Sequence, residues 1–150
     1  MDRIKNAEMN FRNGCNCCQA VFLAYADIFD MGETQALMLT STFGAGIGKM
    51  RETCGVITAM AMITGLADGY SKLDDDEAKQ STYGKMQTMI ADFTKVHNTT
   101  VCRELLGLKK GEDLAEPAIR DEEYYQSRPC LSLIRTACEI MEANIEQTNC

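Results

Sequence analysis

Cysteine is the residue type with the most evident chemistry in this sequence, and its eight copies are unevenly spaced. Three stand within four positions, in the stretch RNGCNCCQA, and the other five are dispersed. The eight are Cys15, Cys17, Cys18, Cys54, Cys102, Cys130, Cys138 and Cys150. Clustered thiols can bind a metal or exchange disulfides, but a cysteine also serves as a small buried apolar residue. The choice among these roles depends on where the fold brings the dispersed cysteines.

The chain does not need structural disulfides in order to fold. A chain of 150 residues can bury a core without covalent links. The first residues, MDRIKNAEMNFRNG, are charged and lack the apolar run of an export signal, so we expect a cytoplasmic protein. Thiols stay reduced in that compartment, where clustered cysteines more often bind metal or perform redox chemistry.

Charge and hydropathy argue against two classes of partner. The net charge is −7 and the basic residues are scattered, which does not favour binding to nucleic acid or to an anionic membrane. The longest weakly polar run, residues 54–67, is too short to cross a bilayer and indicates a buried helix instead. The sequence leaves open which redox partner the protein meets and whether it forms a homo-oligomer.

Helices must position the cysteines, because apolar residues mostly recur at helical spacing. The pattern predicts helices over residues 15–29, 34–42, 52–67, 75–97 and 128–147. No run shows the alternation typical of strands, and no repeat or linker marks a domain boundary. We therefore predict an all-α fold, with residues 1–150 forming one compact domain of about five or six helices.

Four of the cysteines coincide with signals for the start of a helix. They are Cys17, Cys54, Cys102 and Cys130. Each follows polar, capping or proline residues, as in the segments NTTVC and SRPC. The first turn of a helix has free N–H groups and a partial positive charge, and both favour a thiolate over a thiol. The spacing thus predicts four cysteines in the first turns of four different helices.

Converging thiolates need a compensating charge. One helix dipole contributes roughly 0.3–1 kcal/mol, whereas two thiolates about 4 Å apart repel by about 4 kcal/mol at an effective dielectric near 20. Four sulfurs in one place are therefore expected to bind a metal or cluster, to keep some of their protons, or to oxidise in pairs. The simpler alternative is that each cysteine fills space in the core.

Several segments resemble a family named C_GCAxxG_C_C after its cysteine pattern. GCNCCQAVFLAYADIF is similar to its opening segment, which places the first family cysteine at Cys17. FGAGIGKMRETCGVITAMAMITGL resembles its glycine-rich loop and Cys-Gly-Ala-x-x-Gly motif, with Cys54 and Gly55. VCRELLG and RPCLSLIRTACEIME are similar to the last two segments and give Cys102 and Cys130. The resemblance implies a bacterial or archaeal cytoplasmic protein with redox activity, and it names no substrate.

The sequence departs from the family pattern at two kinds of position. Val56 replaces the alanine of the motif and Ala59 replaces its closing glycine. Four cysteines are additions to the pattern. They are Cys15, Cys18, Cys138 and Cys150. Cys138 shares a helical stripe with Cys130 and is interpreted as a core residue.

Three functions are consistent with these observations. In the leading one, an iron–sulfur cluster or a zinc ion is bound by four thiolates, or the same cysteines exchange electrons without a metal. The four candidates are Cys17, Cys54, Cys102 and Cys130. The other two are a thiol–disulfide oxidoreductase and a non-catalytic metal-binding or helical interaction protein. The sequence leaves open whether any reaction is catalysed.

The oxidoreductase hypothesis starts from the CNCC segment. It contains a C-x-x-C pair, a C-x-C pair and a vicinal pair, so Cys15, Cys17 and Cys18 are redox candidates, as is Cys54. The single histidine, His97, lies five residues before a site cysteine and could activate it. A polar residue at a helix C-terminus is the preferred interpretation of this histidine.

Two other motifs have simple structural interpretations. FGAGIG, residues 43–48, lacks the spacing and the preceding strand of a phosphate-binding loop, and is interpreted as a tight helix–helix connection with close backbone contacts. KLDDDEAK, residues 72–79, is interpreted as a capping box with Asp74 as N-cap and Glu77 three residues later. Neither motif is assigned to catalysis.

Overall fold

Helices dominate the part of the chain that the structure, a computed structural model, describes: residues 1–109 and 116–145. These ranges contain eight α-helices, two short 3₁₀ helices and no β-strand, so the predicted all-α class is confirmed. The α-helices are α1 (Arg3–Arg12), α2 (Cys17–Leu23), α3 (Glu33–Thr40), α4 (Gly55–Asp68), α5 (Asp76–His97), α6 (Cys102–Leu106), α7 (Glu122–Ser127) and α8 (Cys130–Asn144). The 3₁₀ helices are Ala26–Phe29 and Ser41–Phe43. None of the helices in these ranges has the length and apolarity needed to cross a membrane.

The prediction of five or six helices was too low. Helices α6 and α7 have five and six residues, which is too short to show a periodic apolar pattern. Helix α1 is mostly polar, and its buried residues are Arg3, Ala7 and Phe11. Its narrow apolar stripe explains why the sequence did not reveal it.

Helix α4 packs against α2, α5 and α8. A Cβ atom added to Gly55 would lie 2.9 Å from the Cys18 nitrogen and 3.3 Å from the Cys17 Cβ. Only glycine therefore lets the first turns of α2 and α4 approach this closely. This contact brings two of the predicted site segments together.

The connection between α3 and α4 has an unusual backbone. Six of its residues have φ between 53° and 72°, in the left-handed region that most side chains avoid. They are Ala45, Gly46, Ile47, Gly48, Lys49 and Arg51. A Cβ atom on Gly46 would lie 2.7 Å from the Cβ of Cys102, so this glycine allows a close approach. The interpretation of FGAGIG as a tight connection with close backbone contacts is confirmed.

Asp75 caps helix α5, one residue later than predicted. Its side chain accepts a hydrogen bond from the backbone N–H of Ala78 at 3.0 Å. The capping box predicted for Asp74 and Glu77 is therefore wrong: Glu77 is the second helical residue, and the third is an alanine that has no side-chain acceptor to complete a box.

Candidate functional site

Four cysteines that are distant in the sequence line one cavity, which has a volume of about 160 Å³. We call it the four-cysteine cavity, and its cysteines are Cys17, Cys54, Cys102 and Cys130. Three of these are the first residues of α2, α6 and α8, and Cys54 is the residue immediately before α4. The prediction that they begin four different helices is confirmed.

Capping interactions fix Cys17 at the start of α2. The side chain of Asn16 accepts a hydrogen bond from the Gln19 N–H at 2.9 Å, and the Gln19 side chain accepts one from the Asn16 N–H at 3.0 Å. The Asn16 amide also donates to the carbonyl of Ser41 at 3.0 Å. Gly44 makes room for it, because a Cβ there would overlap the asparagine side chain. This reciprocal capping box satisfies free N–H groups of the first turn.

An isolated antiparallel bridge between residues 53 and 101 aligns the segments before α4 and α6. The N–H of Cys54 donates to the carbonyl of Thr100 at 2.8 Å, and the N–H of Cys102 donates to that of Glu52 at 2.6 Å. Neighbours of a bridged residue point to the side opposite that residue. The two cysteines therefore lie on the same side of the bridge, and both line the cavity.

Cys17 and Cys130 lie close enough to shift each other's pKa. Interaction with Cys130 raises the pKa of Cys17 well above its ordinary value, and interaction with Cys17 lowers the pKa of Cys130. Burial opposes the ionisation of Cys130, whereas Arg128, Arg120 and Arg51 favour it and lower its pKa. Cys130 is therefore the cavity cysteine whose ionisation the surroundings favour most.

The other two cavity cysteines have raised pKa values. Burial raises the pKa of Cys54 to about 12, although the N–H groups of Val56 and Ile57 favour its ionisation. Burial also raises the pKa of Cys102, against the opposing effect of Arg51, whose Nη1 donates to Sγ at 3.7 Å. Both side chains are therefore thiols at neutral pH.

Three arginines of the cavity were missed by the sequence reasoning. Arg51 is only 4% exposed. Arg120 donates from Nη1 to the carbonyl of Cys15 at 2.9 Å, and the Arg128 guanidinium lies 4.7 Å from the centre of the Tyr124 ring. Arg51 and Arg128 precede site cysteines by three and two residues, which was a usable signal. Arg120 belongs to a separate segment, and no local motif marks it.

Of the three cysteines in the CNCC segment, only Cys17 lines the cavity. Cys18 is fully buried, Thr58 Oγ1 donates to its sulfur at 3.6 Å, and burial raises its pKa to about 12. Cys15 is half-buried; burial raises its pKa and Arg120 opposes this. All seven cysteines in the described ranges are free. The three cysteines of the segment thus face three different surroundings.

The remaining candidates lie away from the cavity lining. Cys138 has no exposed surface and belongs to the hydrophobic core, which confirms its interpretation as a core residue. His97 is the last residue of α5, as preferred, and its Nε2 forms a 2.9 Å hydrogen bond with Thr136 Oγ1. Burial lowers the pKa of His97. Cys150 lies outside the described residues.

The cavity gathers four sulfurs but not in a ready coordination geometry. Within residues 1–109 and 116–145, no group of three or more His, Cys, Asp or Glu side chains is arranged so that it could hold a metal ion. A metal bound by these cysteines would require their sulfurs to move.

Comparison with known proteins gives one match. A family model described as "Putative redox-active protein (C_GCAxxG_C_C)" matches residues 15–144. The matched region includes the whole set of cavity cysteines and the arginines beside them. No curated protein and no solved structure matches the chain.

Proposed function

This chain belongs to the C_GCAxxG_C_C family, and on that premise we propose that Cys17 and Cys130 form a redox-active dithiol that exchanges disulfides with a partner molecule. The observation that carries the proposal is that Cys17 and Cys130 line one cavity, close enough to shift each other's pKa and next to three arginines that lower the pKa of Cys130. A thiolate, rather than a thiol, is the nucleophile in disulfide exchange. A cytoplasmic location, where thiols are kept reduced, would suit this chemistry.

The exchange proceeds in two steps. The Cys130 thiolate attacks one sulfur of a partner disulfide, the partner S–S bond breaks, and one partner thiolate leaves from the resulting mixed disulfide. Cys17 then gives its proton to the departing partner sulfur and attacks the Cys130 sulfur, which forms the Cys17–Cys130 disulfide and releases the second partner thiol. The partner disulfide gains two electrons, and the protein dithiol loses two. The reverse reaction oxidises a partner dithiol.

Cys54 and Cys102 have a different place in this proposal. Their raised pKa values keep them as neutral thiols, which are weak nucleophiles at neutral pH. They line the same cavity and supply two further sulfurs near the reacting pair. They do not take part in the first exchange.

Redox titration with thiol counting tests the proposal. The unmodified protein is expected to lose and regain two thiols reversibly, and Cys17→Ser and Cys130→Ser should each abolish this change. Cys15→Ser is the matched control, because Cys15 is half-buried and lies outside the cavity lining. A two-thiol change that survives in Cys130→Ser would show that another pair carries the chemistry.

The donor set of the cavity favours a second candidate, an iron–sulfur cluster or a zinc ion bound by the same four cysteines. Four thiolates are the ligand set of iron–sulfur clusters and of many structural zinc sites. The neighbouring arginines would offset part of their negative charge. Metal analysis after anaerobic purification separates the two candidates: bound iron or zinc that is lost in Cys54→Ser supports the metal centre, since Cys54 is not needed for the dithiol.

A further inference from the structure

Cationic side chains line the four-cysteine cavity, and among the described residues no carboxylate does. The cations are Lys49, Arg51, Arg120 and Arg128. The chain as a whole has the opposite balance, with 22 acidic and 15 basic residues and a net charge of −7. A positive cavity in an acidic protein is a local feature that attracts anions and repels cations.

Three of these cations have no ion-pair partner among the residues that the structure describes. In the described ranges Lys49, Arg120 and Arg128 form no ion pair with a carboxylate. Lys49 donates to the backbone carbonyl of Glu116, and Arg120 and Arg128 lie against the ring of Tyr124 with centroid distances of 5.4 Å and 4.7 Å. These contacts hold the cations in place without neutralising them.

A thiolate on Cys130 would not balance the positive charge of these cations. When Cys130 ionises it supplies a single negative charge, so the three unpaired cations retain a surplus of two positive charges. The rest of the lining includes the apolar side chains of Phe11, Leu105, Leu106 and Leu133. An apolar surface that carries surplus cations fits a molecule with an apolar body and one or two anionic groups.

From this balance we infer that the substrate is a small carboxylate-bearing disulfide, which docks through the cations at the four-cysteine cavity before Cys130 attacks it. The inference rests on the proposed disulfide exchange and adds the chemical class of the partner. The cavity, at about 160 Å³, has the scale of a small molecule. The cations then have two roles, since they stabilise the thiolate and bind the carboxylates.

Three small disulfides that differ in charge test the inference. Dithiodipropionate carries two carboxylates, hydroxyethyl disulfide is neutral, and cystamine carries two ammonium groups. The initial rate at which each oxidises the Cys17–Cys130 pair is divided by the initial rate at which it oxidises free dithiothreitol, which corrects for the intrinsic reactivity of each disulfide. We expect the dianion to exceed the neutral compound by about tenfold or more at low salt and cystamine to be slowest, with the differences shrinking as salt is added.

A substitution then tests whether the preference for the dianionic disulfide arises in the cavity. Arg128→Gln should reduce the ratio of the dianion's corrected rate to that of the neutral disulfide several-fold. A loss of thiolate would slow all three reactions equally, so it would not change this ratio. Arg135→Gln is the control, since Arg135 is exposed, pairs with Glu8 and lies outside the cavity. It should leave the ratio unchanged.

The outcomes separate this inference from the function on which it rests. If none of the three disulfides oxidises the pair, disulfide exchange itself is wrong. If all three react at equal corrected rates, the exchange stands and the anionic substrate is wrong. A dianion preference that persists unchanged in Arg128→Gln would also overturn the inference, because the preference would then arise elsewhere.

Discussion

Helix α8 carries two cysteines two turns apart whose surroundings differ sharply. Cys130 and Cys138 are both buried, with 5% and 0% of their surface exposed. Cys17 and three arginines lower the pKa of Cys130. Cys138 lies in the core near Tyr25, and burial raises its pKa to about 12. Burial alone therefore does not decide the direction in which the pKa of a cysteine shifts, because neighbouring cations and thiols can outweigh it.

The two ends of α8 also differ in what surrounds them. At its N-terminus the first turns of α2, α4 and α6 bring polar backbone, sulfur and guanidinium groups together. Farther along, α8 packs through apolar side chains against its neighbours. The fold thus separates a reactive region from a stabilising one along a single helix, and the following predictions test that separation.

Alkylation should give the largest difference between the two cysteines. In the folded protein at neutral pH, iodoacetamide should modify Cys130, whereas Cys138 and Cys18 should react only after unfolding. A thiol with a pKa of about 12 has roughly one hundred-thousandth of its population as thiolate at about pH 7. Peptide mapping by mass spectrometry measures this, and equal labelling of Cys138 in folded protein would contradict it.

A methyl group at the helix contact should disturb the reactive region. Gly55→Ala places a Cβ 2.9 Å from the Cys18 nitrogen, so we expect a loss of about 1–3 kcal/mol in the free energy of unfolding and slower oxidation of the Cys17–Cys130 pair. Gly65→Ala in the same helix meets no atom within 4 Å and should instead stabilise by about 0.5–1 kcal/mol. Urea denaturation checks both, and equal effects at the two glycines would refute the contact.

A serine in the core should affect stability without affecting chemistry. Cys138→Ser buries a hydroxyl where Tyr25 is in hydrogen-bonding position, so the loss is expected to be about 1 kcal/mol. Its two-thiol redox change should equal that of the unmodified protein. Loss of that change in a variant that still unfolds cooperatively would mean that the two regions are coupled.

The smallest expected effect concerns the arginine next to Cys130. Its guanidinium lowers the pKa of Cys130, so Arg128→Gln should raise that pKa. Because the thiolate forms as the pH rises through the pKa, the alkylation rate at neutral pH should fall a few-fold and the pH profile should move to higher pH. The effect is modest since Arg120 and Arg51 remain. An unchanged profile would show that Arg128 does not act on this thiolate.

The helix starts at the site could be predicted from the sequence, whereas the contacts between distant segments of the site could not. Capping residues such as Asn16 act over a few positions, so the helix starts at the four cysteines could be inferred from neighbouring residues alone. The role of Arg120 depends on a segment that returns to α1 and α2 from far along the chain. The leading hypothesis brought the four site cysteines together and the alternative used pairs within CNCC, but neither could single out Cys17 and Cys130 as neighbours.

The sequence was also unable to predict which part of the apolar face of α5 is buried. Tyr83 and Phe93 both fit the helical spacing of apolar residues over 75–97, but Tyr83 is 56% exposed and hydrogen-bonds with the hydroxyl of Tyr70. The buried residues of this helix, Met89 and Phe93, belong to its second half. Periodicity identifies a face, but not how far along the helix its neighbours cover that face.

Mapping the disulfide that forms on mild oxidation tests the central claim most directly. The protein is equilibrated in a thiol–disulfide buffer, the remaining thiols are blocked, and the linked peptides are identified by mass spectrometry. The account predicts a reversible disulfide between Cys17 and Cys130, with Cys138 remaining a free thiol. A first disulfide between Cys15 and Cys18, or an oxidised protein that still has both Cys17 and Cys130 as thiols, would contradict it.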